Sequence, residues 1–269
     1  MTMADSVRKQ QANTTVPYIV AAKRAGTCKV VAAIPCWNTE AYVAAVVRGA
    51  MGYVDEVVVI DDGSMDDTAR VAAEAGAIVV RHGVNKGYGE AIKSCFIAAR
   101  ERGADVLVTI DGDGQHDPAE IQRVLGPIES GKAELVIGSR FIDGAGPTGR
   151  TESTVPKYRG FGIRVITLLF NLGSRTKVSD SQSGFRAYDK RMLDLMSLTE
   201  TGMAVSIEIL EEARRGRAAI AEVPITCAYE SHRMTMKAIK HGLTVAFSVL
   251  CIRATFTLKG LFGKRSRAS

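Results

Sequence analysis

Asp111 and Asp113 stand two residues apart with Gly112 between them, and Gln115 follows two residues later. They come where an apolar run, Val106 to Ile110, stops. Two carboxylates at i and i+2 where a strand ends can face one point in space. A hard divalent cation takes that arrangement, with one or two oxygens from protein and the rest from water and phosphate. The glycines let a ligand approach the backbone, and Pro118 can open the next helix. An ordinary acidic turn has the same composition, so the reading depends on the company the pair keeps.

The elements that must position the pair alternate along the chain. Val30–Ile34, Glu56–Ile60, Ala77–Arg81, Val106–Ile110 and Glu134–Gly138 read as strands. Thr39–Arg48, Asp66–Ala75, Gly89–Arg102 and a segment from Pro118 through Leu125 read as helices. Short Val/Ile-rich strands alternating with helices predict an α/β, mostly parallel, doubly wound sheet. Ligands bind such sheets at the carboxyl ends of the strands. Polar residues fall at those ends: Pro35-Cys-Trp-Asn-Thr-Glu40, Asp61-Asp-Gly-Ser64, Asn85-Lys-Gly-Tyr-Gly89, Asp111-Gly-Asp113 and Ser139-Arg140. Turn chemistry explains part of this, but not two acidic pairs and an arginine on one rim.

Composition bounds the class. The chain has 269 residues, 46% hydrophobic and 24% charged, near the globular norm. A net charge of +6 favours anionic partners, such as nucleotide phosphates, lipid phosphates or an anionic membrane surface. No aromatic-rich basic segment offers a nucleic-acid platform. Cys28, Cys36, Cys95, Cys227 and Cys251 are scattered with no C-x-x-C pair, the pattern of reduced thiols in an intracellular protein, which argues against zinc. Residues 1–26 are a polar lead without a signal-peptide core, and no uncharged apolar run reaches the roughly 18 residues of a membrane span. Two phosphate motifs are absent: there is no G-x-x-x-x-G-K-[ST], and Gly83, Gly87 and Gly89 follow the third strand with the wrong spacing for G-x-G-x-x-G.

Six stretches together carry a resemblance: Pro35/Asn38, Asp61-Asp-Gly-Ser64, Asn85-x-Gly87, Asp111-x-Asp113-x-Gln115-His116, Gly138-Ser-Arg140 and Asp180-Ser-Gln-Ser-Gly-Phe-Arg186. The set resembles the inverting family-two glycosyltransferases of GT-A fold, and within them the dolichol- or polyprenyl-phosphate mannose/glucose synthase branch. It covers roughly residues 29–230. The resemblance implies that Pro35, Trp37, Thr39, Asp62 and the backbone of Ile60 hold the base and ribose of a GDP- or UDP-hexose. It implies that Asp111, Asp113 and Gln115, with Gly112 between the carboxylates, carry Mg2+ or Mn2+ bridging the diphosphate. Arg140 would contact phosphate, and Asp180 to Arg186 would close the acceptor side. Where the family often has Pro-x-Tyr-Asn-Glu, this chain has Trp37 at the Tyr position and Thr39 at the Glu position. Arg233 and Lys237 stand where the mannose synthases carry a basic element for donor phosphates.

The physics agrees. A nucleoside diphosphate leaves poorly unless its charge is neutralised, which a metal does as a Lewis acid and a fixed Arg assists. A lipid phosphate acceptor is already an anion and needs no general base. A sugar hydroxyl would need one, and Asp180 is then the candidate.

The second half reads differently. Residues 143–157 form a Gly/Pro/Thr-rich loop long enough for a lid. Tyr158–Leu172 is a helix with a broad apolar face, suited to a membrane interface or to packing on the sheet. Met203–Arg215 is a helix whose Glu208, Glu211 and Glu212 read as a solvated face, and Lys93 and Arg100 read as solvated too. Ala219–Thr226 is a late strand. Leu243–Leu258 is apolar, interrupted by Arg253, and Lys259, Lys264, Arg265 and Arg267 follow it. That combination reads as an anchor on anionic lipid. The domain plan is then a polar lead (1–26), a GT-A domain (27–230) and a C-terminal helix with a basic tail (231–269). The expected enzyme is a metal-dependent, inverting hexosyltransferase to a polyprenyl phosphate, peripheral at the cytoplasmic membrane face. The same chemistry on a soluble sugar or glycan is the alternative. A pyrophosphorylase would need a Gly-rich basic loop after the first strand, which Pro35-Cys-Trp-Asn does not supply. A non-catalytic scaffold would not need the intact acidic pair.

Overall fold

The computed structural model describes residues 28–142, 155–172, 174 and 176–228. The polar lead, most of the predicted lid and the C-terminal helix with its basic tail lie outside the described residues. Seven strands form one sheet: β1 (Val30–Cys36), β2 (Glu56–Asp61), β3 (Ile78–Arg81), β4 (Val106–Thr109), β5 (Leu135–Ser139), β6 (Arg186–Asp189) and β7 (Ile220–Pro224). Their order is β3-β2-β1-β4-β6-β5-β7. All neighbouring pairs are parallel except those of β6, which runs antiparallel to both β4 and β5. The helices are α1 (Val43–Met51), α2 (Thr68–Glu74), α3 (Tyr88–Glu101), α4 (Ile121–Glu129, after a 3-10 turn at Pro118–Glu120), α5 (Lys157–Asn171), α6 (Lys190–Leu195) and α7 (Val205–Arg215).

Strand alternation builds two cores. Side chains of Val31, Ala33, Val58, Ile60 and Leu107 face one side, against α3, α5, α6 and α7. Val30, Ala32, Ile34, Val57, Val59 and Val108 face the other, against α1, α2 and α4. β1 is buried along its whole length, as a strand covered on both faces must be. Within α3 the buried positions Ala91, Ile92, Cys95, Phe96 and Ala99 repeat at helical spacing.

The expected α/β architecture holds, and most element ends differ by one to three residues. Two elements went unforeseen, β6 and α6. The tract Arg186-Ala-Tyr-Asp189 alternates too briefly to stand out, and its burial is set by its two neighbours (β4 and β5), not by its own apolarity. Four surface assignments are corrected. Glu212 is only 8% exposed, and Lys93 Nζ donates to Glu90 Oε1 and to the Thr199 carbonyl, both at 2.8 Å. Glu208 is 4% exposed and caps the loop before α7, accepting from Thr199 N at 2.8 Å and Glu200 N at 2.9 Å. Arg100 is not merely solvated: its guanidinium donates to the carbonyls of Leu193 and Met196.

Leu107→Ala should cost about 2–5 kcal/mol by the cavity it leaves in a fully buried position. Phe161→Ala, at a position 71% exposed, should stay within about 0.5 kcal/mol. Urea unfolding of both variants checks the ordering, and equal costs would contradict a central β4.

Candidate active site

The parallel strands all deliver their carboxyl ends to one rim, and β6, running the other way, delivers its start there. Arg186 is paired with Thr109 at the end of β4 and with Ile137 near the end of β5. The segment 180–186 therefore reaches the same rim as Asp111, Asp113 and Arg140.

The carboxylate pair is tightly enclosed. Asp111 Oδ1 accepts from the Tyr88 hydroxyl at 3.2 Å. Asp113 Oδ1 accepts from Gln115 N at 3.0 Å, which closes the turn. A Cβ at Gly184 would lie 2.5 Å from Asp111 Oδ2, and one at Gly112 would lie 2.3 Å from Cys36 Sγ. Both glycines are needed because the backbone is pressed against functional groups. Burial raises the pKa of Asp111, although Tyr88, Arg140 and Arg186 all pull it down. Burial also raises Asp113, and the neighbouring Asp111 adds to it. Both carboxylates are thus strained in their charged form.

His116 completes the turn as a structural residue. It is buried, its ring centroid is 5.5 Å from that of Phe185, and burial followed by Arg140 pushes its pKa down to about 4. It is a neutral imidazole at neutral pH. Cys36 is also inert, its thiol pushed up to about 12 mainly by burial.

Arg140 is fixed from behind. Its Nε and Nη2 donate to the two oxygens of Asp180 at 2.7 and 2.8 Å, a bidentate pair. Asp180 is fully buried and also accepts from Gln182 N at 3.2 Å. Both oxygens of Asp180, the candidate base for a hydroxyl acceptor, are engaged by Arg140, and its geometry is that of a positioning partner. Glu222 on β7 supports the pair from below, accepting from Ser179 N at 2.8 Å and Asp180 N at 3.2 Å. Arg186, 1% exposed, donates to the carbonyls of Ser206 and Ser181.

Beyond the carboxylates, an open cleft of about 650 Å³ lies at the ends of β1, β2 and β3. Trp37, 55% exposed, forms part of its wall, with Ser64, Met65, Arg81 and Val84 among the others. The β1 and β2 loops are tied across it: Asn38 N donates to Ser64 Oγ, Met65 N to Asn38 Oδ1, and Thr39 N to Thr68 Oγ1. Pro35 and Ile60 sit opposite each other in the β1–β2 pairing and are buried, Ile60 within the core, and neither lines the cleft. Asp62 does not reach into the cleft. Its carboxylate accepts from Lys86 N and Gly87 N, both at 2.9 Å, and pairs with His82 Nδ1 at 2.6 Å. It shapes the cleft by holding the 85–87 loop. Lys237 and Arg233 lie outside the described residues.

Sequence reasoning missed Tyr88, Gly184 and Glu222. Tyr88 and Gly184 sat inside quoted motifs, so the motif was the only signal for them. Glu222 had one of its own: a lone acid within the apolar tract Ile220–Ile225.

With the rim assembled, comparison with known proteins becomes decisive. The model of Glycosyl transferase family 2 matches residues 31–196, which spans β1 through α6. The chain belongs to glycosyl transferase family 2. It is therefore a glycosyltransferase, and its fold is of GT-A type. A UDP-N-acetylglucosamine–dolichyl-phosphate N-acetylglucosaminyltransferase of Methanococcus voltae is 33% identical over 75% of this chain and 86% of its own. A polyprenol monophosphomannose synthase of Mycolicibacterium smegmatis is 33% identical over 63% of this chain and 65% of its own. Among solved structures, the glucosyl-3-phosphoglycerate synthase of Mycobacterium tuberculosis superposes with a TM-score of 0.67 at 23% identity, covering 87% of this chain and 81% of that one. The same enzyme has been solved with Mn2+ and UDP.

The strained carboxylates of this transferase give a pH prediction. Each has a folded pKa above its unfolded value, so the fold favours the protonated form. That contribution is fully present below the ordinary carboxylate range and is lost as pH rises through the raised value. In metal-free buffer near neutral pH, Asp113→Asn should therefore melt higher than the wild type, and the gain should shrink in acid. A calorimetric Tm series over pH checks this, and a lower Tm for the variant at neutral pH would contradict it.

Proposed function

We propose that the protein transfers a hexose, mannose or glucose, with inversion, from a GDP- or UDP-sugar to a polyprenyl or dolichyl phosphate at the cytoplasmic membrane face. The observation that carries the reading is the enclosed Asp111/Asp113 pair on the same rim as a rigidly held Arg140. The two lipid-phosphate relatives support the acceptor. One of them is named for a UDP-sugar and the other for mannose transfer, so they leave the base open.

The donor set fits a hard divalent cation. Burial raises the charging cost of both carboxylates, Asp111 adds to that of Asp113, and a bound cation relieves it. Among the described residues no group of three or more His, Cys, Asp or Glu is gathered. Asp111 and Asp113, with the Gln115 amide, would hold Mg2+ or Mn2+ while phosphate and water complete its shell. When bound, the metal neutralises charge on the departing diphosphate.

The chain's own groups supply the rest. Trp37 offers an aromatic face to the base, and Pro35, Thr39, Ile60 and Asp62 hold the loops that shape its cleft. Gly112 keeps the backbone between the two carboxylates thin. Arg140, unable to rotate away from Asp180, presents a fixed positive charge to phosphate. Lys237 is assigned to the donor phosphates on the resemblance alone. No free base is required, because a phosphate acceptor attacks as an anion. This suits a site where Asp180 is engaged by Arg140 and the buried His116, its pKa pushed down to about 4, is a weak base.

Helix α5 supports a membrane-surface location. Phe161, Val165, Leu168 and Leu172 are exposed at helical spacing on one side of it. The helix also presents the exposed Arg159 and Arg164, and its sequence has no acidic residue. Apolar residues beside positive charge suit an interface with anionic lipid. Among the described residues no helix is long and apolar enough to cross a membrane.

Nucleoside diphosphate release from GDP-mannose and UDP-glucose, with and without polyprenyl phosphate, tests the proposal. Release should require both the metal and the lipid phosphate. Asp113→Ala should lower it by at least about 100-fold, and Arg140→Ala by about 100- to 1,000-fold. Release that the lipid does not accelerate would move the acceptor to a soluble sugar or glycan. Separately, the Phe161→Ser/Leu168→Ser double variant should bind anionic vesicles more weakly in sedimentation while keeping its Tm. Unchanged binding would remove α5 from the membrane contact.

A further inference from the structure

The cleft at the ends of β1, β2 and β3 differs from the rest of the rim in its charge. Among the described residues no carboxylate lines it. The two acids nearest in sequence are both committed elsewhere. Asp61 is fully buried, accepts from Ser64 N at 2.9 Å, and lies 3.0 Å from Arg81 Nε. Asp62 is occupied by the 85–87 loop and His82. His82 offers nothing further, since its Nε2 is 2.9 Å from Ser94 Oγ.

Arg81 is the charged group the cleft does present. It closes β3 directly opposite Asp61 in the strand pairing. Its Nη2 donates to the Ser64 carbonyl at 3.0 Å, so together with Asp61 the head group is held at two points. The side chain is nevertheless 58% exposed, and among the described residues Nη1 has no partner. A guanidinium donates and never accepts. The remaining polar side chains on the wall are Ser64 and the exposed Asn85, whose amide supplies one acceptor oxygen.

We propose that this cleft reads uracil in preference to guanine, with Arg81 as the specificity-determining residue and a uridine diphosphate sugar as the donor. This rests on the nucleotide-sugar reading of the site and chooses between the two bases that reading leaves open. Uracil presents two carbonyl oxygens flanking one N–H. The free Nη1 of Arg81 can donate to one of those oxygens while an acceptor such as the Asn85 side-chain oxygen takes the N–H. Guanine presents an N–H and an amino group side by side and is best met by two acceptors on one group, which a carboxylate supplies and no side chain on this wall does. Leaving such donors unpaired weakens binding by about 10- to 100-fold. Cytosine and adenine place an amino group where uracil places a carbonyl, against the donors of Arg81. Trp37, Met65 and Val84, exposed by 55%, 93% and 67%, give the base apolar surface without regard to its edge.

Trp37 is the chain's only tryptophan and stands in the cleft wall, so its fluorescence reports base binding directly. The full-length protein with Mg2+ is titrated with UDP, GDP and CDP. UDP should quench Trp37 with a Kd at least about 10-fold below that of GDP or CDP. Arg81→Gln should weaken UDP and close the gap, while Arg81→Lys should restore part of it. Arg81 is surface-exposed, and an unchanged Tm would show that the variants fold. GDP binding as tightly as UDP, or a preference that survives Arg81→Gln, overturns the proposal. Failure of every nucleotide to bind, by fluorescence and by calorimetry, would overturn the nucleotide-sugar reading itself along with it. Tight UDP binding without lipid-dependent turnover would uphold the base assignment and defeat only the acceptor.

Discussion

Everything on this rim is arranged around the cost of holding two carboxylates close together and away from water. Asp111 and Asp113 are each harder to ionise than a free aspartate, first because they are buried and, for Asp113, because Asp111 is near. A fold keeps such a pair only if the backbone around it is over-determined. Here Tyr88 holds Asp111, the Gln115 backbone N–H holds Asp113, Gly184 lets its backbone press against Asp111, and Gly112 lets the turn press against Cys36. Arg140 is kept beside them by a bidentate partner that is itself tethered through the loop Glu222 supports. The strain is then available to a cation, which is the chemistry a diphosphate leaving group needs.

The antiparallel strand β6 is what brings the two halves of the site together. A purely parallel sheet would send residues 180–186 to the opposite edge. By reversing direction between β4 and β5, the chain delivers Arg186 and the preceding loop to the rim where Asp111 already stands. The Arg140–Asp180 pair depends on that reversal, since Asp180 sits in the segment leading into β6.

The central parallel strands β1, β2, β4 and β5 were legible in the sequence because they are buried on both faces and read as apolar runs. β6 was not, since Arg186-Ala-Tyr-Asp189 derives its burial from its neighbours and carries a buried arginine in its first position. Residue types and motifs located the acidic pair and Arg140, but partners could not be read from spacing. Asp180 read as a candidate base, and the spacing gave no sign that it is bound to Arg140. Asp62 looked like a base contact and holds a loop. Glu208 looked solvated and caps one. In each case the side chain's task is fixed by a group far away in the chain, which periodicity does not record.

The most direct measurement is Mn2+ binding to the purified protein, followed by electron paramagnetic resonance with and without UDP or GDP. The account predicts one site per chain, tightened by the nucleoside diphosphate and abolished by Asp113→Asn while the fold is retained. Nucleoside diphosphate bound equally well without metal, or Mn2+ binding indifferent to Asp113, would contradict it.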